Sequence, residues 1–128
     1  MKHFLFSLVL LIIAGFPAAN AQENPCEVDG IVVEASSNEY APSSLEIQAG
    51  QTVVWVNMGG YHDVNGVESS IETESWTNPE TFSFGPVSGS EAGTCIGFKT
   101  FTVEGTYDYD CSIGNHAEQG MVASVTVV

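Results

Sequence analysis

Thr106-Tyr-Asp-Tyr-Asp-Cys111-Ser-Ile-Gly-Asn-His116-Ala-Glu-Gln-Gly-Met121-Val-Ala-Ser-Val-Thr-Val-Val128 closes the chain, and its alternation carries the reading of the fold. Alternate side chains of a strand share a face, so Tyr107, Tyr109 and Cys111 point one way. Thr106, Asp108 and Asp110 point the other way, and their polarity assigns that face to water. The same test puts Met121, Ala123, Val125 and Val127 on one inward face with Ser124 and Thr126 opposite. The loop Ser112 to Gly120 then closes one end of the fold, with His116 at its middle and Gly114 and Gly120 giving backbone freedom.

Strand signals continue toward the N-terminus. Ile31-Val-Val-Glu-Ala is a short β-branched run, and Leu45-Glu-Ile-Gln alternates before a turn at Ala49-Gly50. Thr52-Val-Val-Trp-Val-Asn57 is too apolar to have a wet face and reads as a central strand. Further strands are expected at His62–Asn65 and Thr81–Phe84, and the Ser/Thr/Glu-rich stretch from Glu68 to Glu80 reads as an irregular connection with room for one helical turn. Gly97–Val103 and Thr106–Cys111, joined at Glu104-Gly105, read as a hairpin. No amphipathic helix, internal repeat or low-complexity tract is evident. The fold class that follows is all-β, a Greek-key β-sandwich or barrel of seven or eight strands.

The N-terminus reads as an export signal. Met1-Lys2-His3 is a short positive region, Phe4 to Ile13 is apolar, and Ala19-Asn20-Ala21 fits a small-x-small cleavage site. A membrane span needs about 20 apolar residues, and Pro17 and Asn20 interrupt the run too early. Residues 1–21 are therefore expected to be a cleaved signal peptide, with 22–128 a single domain, periplasmic or extracellular and free of a membrane span. That domain has 107 residues, enough for one core. All sixteen carboxylates lie after Ala21 and only Lys99 opposes them, so residues 22–128 carry −15. Such a charge argues against nucleic acid and anionic membranes; it suits either attraction to a basic partner or the solubility of an exported protein.

Three cysteines in an exported chain make one bridge and leave one thiol. Cys111 has a histidine and a methionine beside it, which leaves Cys26 and Cys95 as the expected disulfide; the alternative is a Cys26 that is free or bonded to another molecule. After the signal peptide only two histidines remain, His62 and His116. Thiolate and thioether are soft donors suited to Cu(I), imidazole serves both oxidation states, and a His₂Cys set with a weak axial Met is an electron-transfer copper arrangement. Cys111, His116 and Met121 are spaced five residues apart in turn, and His62 must come from elsewhere in the chain. Zinc suits the same set less well, because thioether is a poor zinc ligand. Met58 reads as a loop side chain.

From Ile31 to Val128 the chain resembles the cupredoxins, the plastocyanin and azurin family of type 1 blue copper proteins. The residues that carry the resemblance are Leu45-Glu-Ile-Gln-Ala-Gly50-Gln-Thr-Val-Val-Trp-Val-Asn57, the segment at His62, and Gly105-Thr-Tyr-Asp-Tyr-Asp-Cys111 through Gly120-Met121 to the end. The Cys-x4-His-x4-Met spacing is longer than plastocyanin's and is similar to that of auracyanin, rusticyanin and the methionine-containing phytocyanins. The resemblance implies one copper held by His62 and His116 through Nδ1, by the Cys111 thiolate and weakly by Met121. It also implies supporting roles for Asp63, which stands where the family usually has Asn, and for Ser112. Asp63 can accept from Ser112 but cannot donate an amide hydrogen bond, and its charge would lower the reduction potential relative to Asp63→Asn. The family's frequent loop Pro is replaced by Ile113-Gly114.

The function expected from this set is a diffusible, monomeric one-electron carrier. Its partner is a redox protein with a basic docking surface, reached through the His116 edge with Ile113, Ala117 and Val122 as apolar neighbours. The alternative is an exported copper-binding, storage or accessory module. A Cys111/His116 nucleophile pair leaves the thioether without purpose, and copper enzymes need histidines beyond the two available, so no catalytic residue is expected.

Overall fold

The computed structural model describes residues 24–128; the expected signal peptide lies outside them. Nine strands run in the order β1 (Ile31–Ser36), β2 (Glu39–Ala41), β3 (Ser44–Ile47), β4 (Thr52–Asn57), β5 (Tyr61–Asn65), β6 (Ser83–Ser88), β7 (Thr94–Thr100), β8 (Gly105–Asp110) and β9 (Val122–Val127). They form two packed sheets, β2-β1-β4-β7 and β3-β9-β8-β5-β6. Pairs β1/β4 and β3/β9 are parallel, and the other pairs are antiparallel. This is a Greek-key β-sandwich with no helix among the described residues, and hence none that could cross a membrane.

Trp55 organises the core. The indole is fully buried, lies 5.7 Å from the Phe82 ring and 5.5 Å from the Tyr109 ring, and meets Phe101 at 6.4 Å. Edge-to-face and offset contacts at these separations are the favoured aromatic geometries. The unbroken apolar run of β4 is explained by burial on both faces. Val54 and Val56, opposite the core side, lie against backbone at Gly30 and Gly93, where an added Cβ would come within 2.8 Å and 2.7 Å of their methyl groups. Cys26 and Cys95 are joined in a disulfide that ties the N-terminal segment to β7.

Four expectations need correction. The ninth strand, β2, has three residues, too few to show a period. The strand expected at Thr81–Phe84 lies further along, at Ser83–Ser88, and the 68–80 connection contains turns but no helix. Gly97–Val103 and Thr106–Cys111 are not a hairpin: β7 pairs with β4, whereas β8 pairs with β5 and β9 in the other sheet. The turn residues at Glu104-Gly105 therefore change sheets rather than reverse a strand within one.

The fourth correction concerns Asp110, which does not face water and is fully buried. The 66–80 connection folds over the outer face of β8. Asp110 Oδ1 accepts from Asn65 Nδ2 at 2.7 Å and Ser70 Oγ at 2.8 Å, and Oδ2 accepts from the Ser70 amide at 2.7 Å. Asn78 completes the cover: its Nδ2 donates to the carbonyls of Gly66 and Asp108, and its Oδ1 accepts from the Asp108 amide at 2.8 Å. An amide side chain thus replaces a neighbouring strand along β8, which matches the single residue pair between β5 and β8.

Candidate metal centre

Three segments converge at one end of the sandwich. Cys111 follows β8 directly, with its side chain inward and fully buried like those of Tyr107 and Tyr109. Ser112 to Gly120 then turns tightly, through bonds from the His116 amide to the Ile113 carbonyl and from the Gly120 amide to the Ala117 carbonyl. The Cys111 amide donates to the Met121 carbonyl at 3.1 Å, and the Met121 amide donates to the His116 carbonyl at 3.0 Å. Cys111, His116 and Met121 are thereby locked by backbone bonds in a loop without proline. Met121 is fully buried and belongs to the same apolar cluster as Cys111.

His62 enters on β5, where the register shifts between His62 and Val64. It is 2% exposed. Its Nδ1 lies 3.8 Å from Cys111 Sγ, and His116 Nδ1 lies 3.5 Å from the same sulfur. The two imidazole centroids are 5.0 Å apart, and all three ligand atoms fall within 4.8 Å of one another. Metal bonds of about 2.3 Å to sulfur and about 2.0 Å to nitrogen, roughly 120° apart, separate S and N by about 3.7 Å. The three donors are spaced to share one ion.

The electrostatics suit a metal better than a proton. Burial, and to a smaller extent His116, lowers the His62 pKa, which keeps the imidazole neutral with a lone pair free. Burial raises the Cys111 thiol, opposed in part by the backbone amides of Asp63 and Ile113, so the metal-free sulfur holds its proton until a cation displaces it.

Supporting residues fix the two ligand segments to each other. Asp63 Oδ1 accepts from the Ser112 amide at 2.7 Å, and Oδ2 accepts from the Ser112 hydroxyl. A carboxylate on β5 therefore clamps the residue after Cys111. Tyr40, on the unforeseen β2, donates its hydroxyl to the Asp63 carbonyl at 2.5 Å and packs edge-on against Tyr109 at 4.9 Å. Asn57, fully buried at the end of β4, donates to the carbonyls of Gly60 and Val87 and accepts from the Gly59 amide. It shapes the turn that delivers His62. At Gly60, φ is +84° and an added Cβ would lie 2.7 Å from His62 Nε2, so only glycine fits. The signal for Asn57 was a polar residue ending an otherwise apolar strand; Tyr40 had none.

His116 is the half-buried member of the set and opens onto a groove of about 570 Å³ lined also by Ser37, Asn38, Gly60, Tyr61 and Ile113. Of the apolar neighbours expected around it, Ala117 is buried and Val122 belongs to a separate groove beside Trp76. Ile113 lines the groove as expected, and Tyr61, which is 50% exposed, joins it there.

Comparison with known proteins agrees with this centre. A plastocyanin from Scenedesmus fuscus is 36% identical over 89 residues, covering 69% of this chain and 85% of that protein. A reduced Cu(I) form of an amicyanin variant at pH 4 superposes with a TM-score of 0.55 at 25% identity, covering 83% of this chain and 90% of that one. The copper-containing nitrite reductase of Thermus scotoductus SA-01 superposes with a TM-score of 0.60 at 28% identity, with 80% of this chain matched to 23% of that longer one. The family model for copper binding proteins of the plastocyanin/azurin family matches residues 28–128. The chain belongs to the plastocyanin/azurin family of copper-binding proteins.

Proposed function

We propose that His62, Cys111, His116 and Met121 hold one copper ion, and that the protein is an exported, monomeric one-electron carrier between redox partners. The observation that carries this reading is the approach of both Nδ1 atoms to one buried sulfur, at 3.8 Å and 3.5 Å. Bound copper supplies a Cu(I)/Cu(II) couple that gains or loses a single electron. The chain's own residues provide the rest. Cys111, His62 and Met121 are closed off from water, and strand ends and backbone bonds keep the donors in place whichever oxidation state is bound. His116 is the donor nearest solvent and serves as the electron port, with Tyr61 and Ile113 as its apolar margin.

The charge of −15 after Ala21 fits a partner with a basic docking face. Export through the N-terminal signal fits a protein that carries a disulfide. Catalysis is not part of the reading, since both histidines among the described residues are committed to one centre. Adding Cu(II) to the purified protein is expected to give intense visible thiolate-to-copper absorption. Cys111→Ser abolishes that colour and Cys26→Ser retains it; a colourless wild type, or a coloured Cys111→Ser, overturns the reading.

A further inference from the structure

Two buried carboxylates belong to residues adjacent in sequence to the site, Asp63 after His62 and Asp110 before Cys111, and neither meets a cation. Asp63 reaches from β5 to the residue that follows the cysteine and bonds only to the Ser112 amide and hydroxyl. Asp110 is the residue before it and bonds only to Asn65 Nδ2, the Ser70 amide and the Ser70 hydroxyl. The one Lys or Arg of residues 24–128, Lys99, is engaged elsewhere, 3.6 Å from Glu80. Buried charges are normally paired. These two accept only from neutral donors, which carry no net charge to cancel a carboxylate's field.

We infer that Asp63 and Asp110 act together to bias the centre toward a doubly charged ion over a singly charged one, and so toward the oxidised state of its copper. The inference rests on the copper reading above. A fixed anion attracts a dication twice as strongly as a monocation at the same distance, and buried charges are screened by salt far less than the exposed carboxylates that make up most of the net charge. Asp63, which bonds the residue after the thiolate, and Asp110, one residue before it on the opposite strand face, therefore raise the affinity for Cu(II) more than for Cu(I). The carrier this describes gives its electron up readily, and its donor must be the stronger reductant of its two partners.

The test compares wild type, Asp63→Asn, Asp110→Asn and the exposed control Glu104→Gln, which removes a charge at the far end of β8, roughly 20 Å from Cys111. Competition titrations measure the affinity of the metal-free proteins for Zn(II) and Ag(I), a dication and a monocation without redox chemistry. Each Asp variant is expected to lower the Zn(II)-to-Ag(I) affinity ratio about tenfold, while the control leaves it unchanged. Voltammetry of the copper-loaded proteins should show the matching rise in midpoint potential, about 59 mV for a tenfold change in the Cu(II)-to-Cu(I) ratio. An unchanged or increased ratio in Asp63→Asn, or an equal fall in Glu104→Gln, overturns the inference. If Asp110→Asn gives no cooperative melt, Asp63→Asn carries the test alone. Failure of the wild type to bind any of these ions overturns the copper reading instead.

Discussion

At Cys111 the same burial that excludes water also holds the thiol protonated in the absence of metal. Metal uptake must displace that proton, which makes affinity depend on pH. Below the thiol's raised pKa, each unit of rising pH removes a tenfold competition from this one group, so affinity grows with pH. His62 adds to this dependence in the same sense only at acid pH, because its lowered pKa keeps it neutral and available near pH 7. Zinc competition titrations on the metal-free protein between pH 6 and pH 8 should show affinity rising about tenfold per unit. A flat profile would mean that the sulfur is already ionised without metal. Asp63 and Asn57 illustrate a different duty: neither needs to touch a metal, and each holds a ligand-bearing segment, Asn57 through three bonds to backbone and Asp63 through the amide and hydroxyl of Ser112.

Among the elements, β8 carries the most consequence. Its inner face was legible from Tyr107, Tyr109 and Cys111 because polar residues alternate with them over the strand. Its outer face was not, since alternation distinguishes two faces without saying what covers the polar one. Asp110 looked wet in one dimension and is dry in three because Ser70 and Asn65 arrive on top of it. Asn78 shows how the cover is attached. Asn78→Ala removes two donors and one acceptor bonded to Gly66 and Asp108 backbone. With those backbone groups left unpaired, the loss of stability should be about 2–3 kcal/mol, read from the urea midpoint. A shift of under half that would show that water replaces the amide freely. The false hairpin at Glu104-Gly105 has a similar origin: turn residues report a change of direction, and a Greek key changes sheet with the same residues that a hairpin uses to reverse.

Two long-range features govern the molecule at full size, the disulfide and the charge. Cys26 and Cys95 close a loop across a sequence separation of 69. In the chain-entropy treatment, a loop of that length contributes roughly 4 kcal/mol. Replacing both cysteines by serine should lower stability by about that amount in denaturant titrations, with the visible copper colour intact. Loss of colour would tie the bridge to the centre rather than to the fold. The net charge acts on encounters. If a basic redox protein is the partner, its bimolecular rate of electron exchange with this protein should fall steeply as salt is raised from 10 mM to 150 mM, as the Debye length shrinks from about 30 Å to about 8 Å. A rate indifferent to salt in stopped-flow would remove the steering role and leave the charge to solubility.

The linear chain already contained the fold class and the three side chains that the fold brings together, His62, Cys111 and His116, because both rest on residue type and alternation. Residue type fixes which atoms can bind a soft metal, and alternation fixes which side chains share a face. Cys111, His116 and Met121 lie in one loop, and His62 was found by elimination among very few histidines. Contacts between distant segments had no such signature. Tyr40 bonds a carbonyl 23 residues away, Asp110 is covered by a connection 40 residues earlier, and Ala117 turns inward while Tyr61 turns out beside the port. Those placements follow from how two sheets and a covering loop pack together, and packing is a property of the folded chain in space.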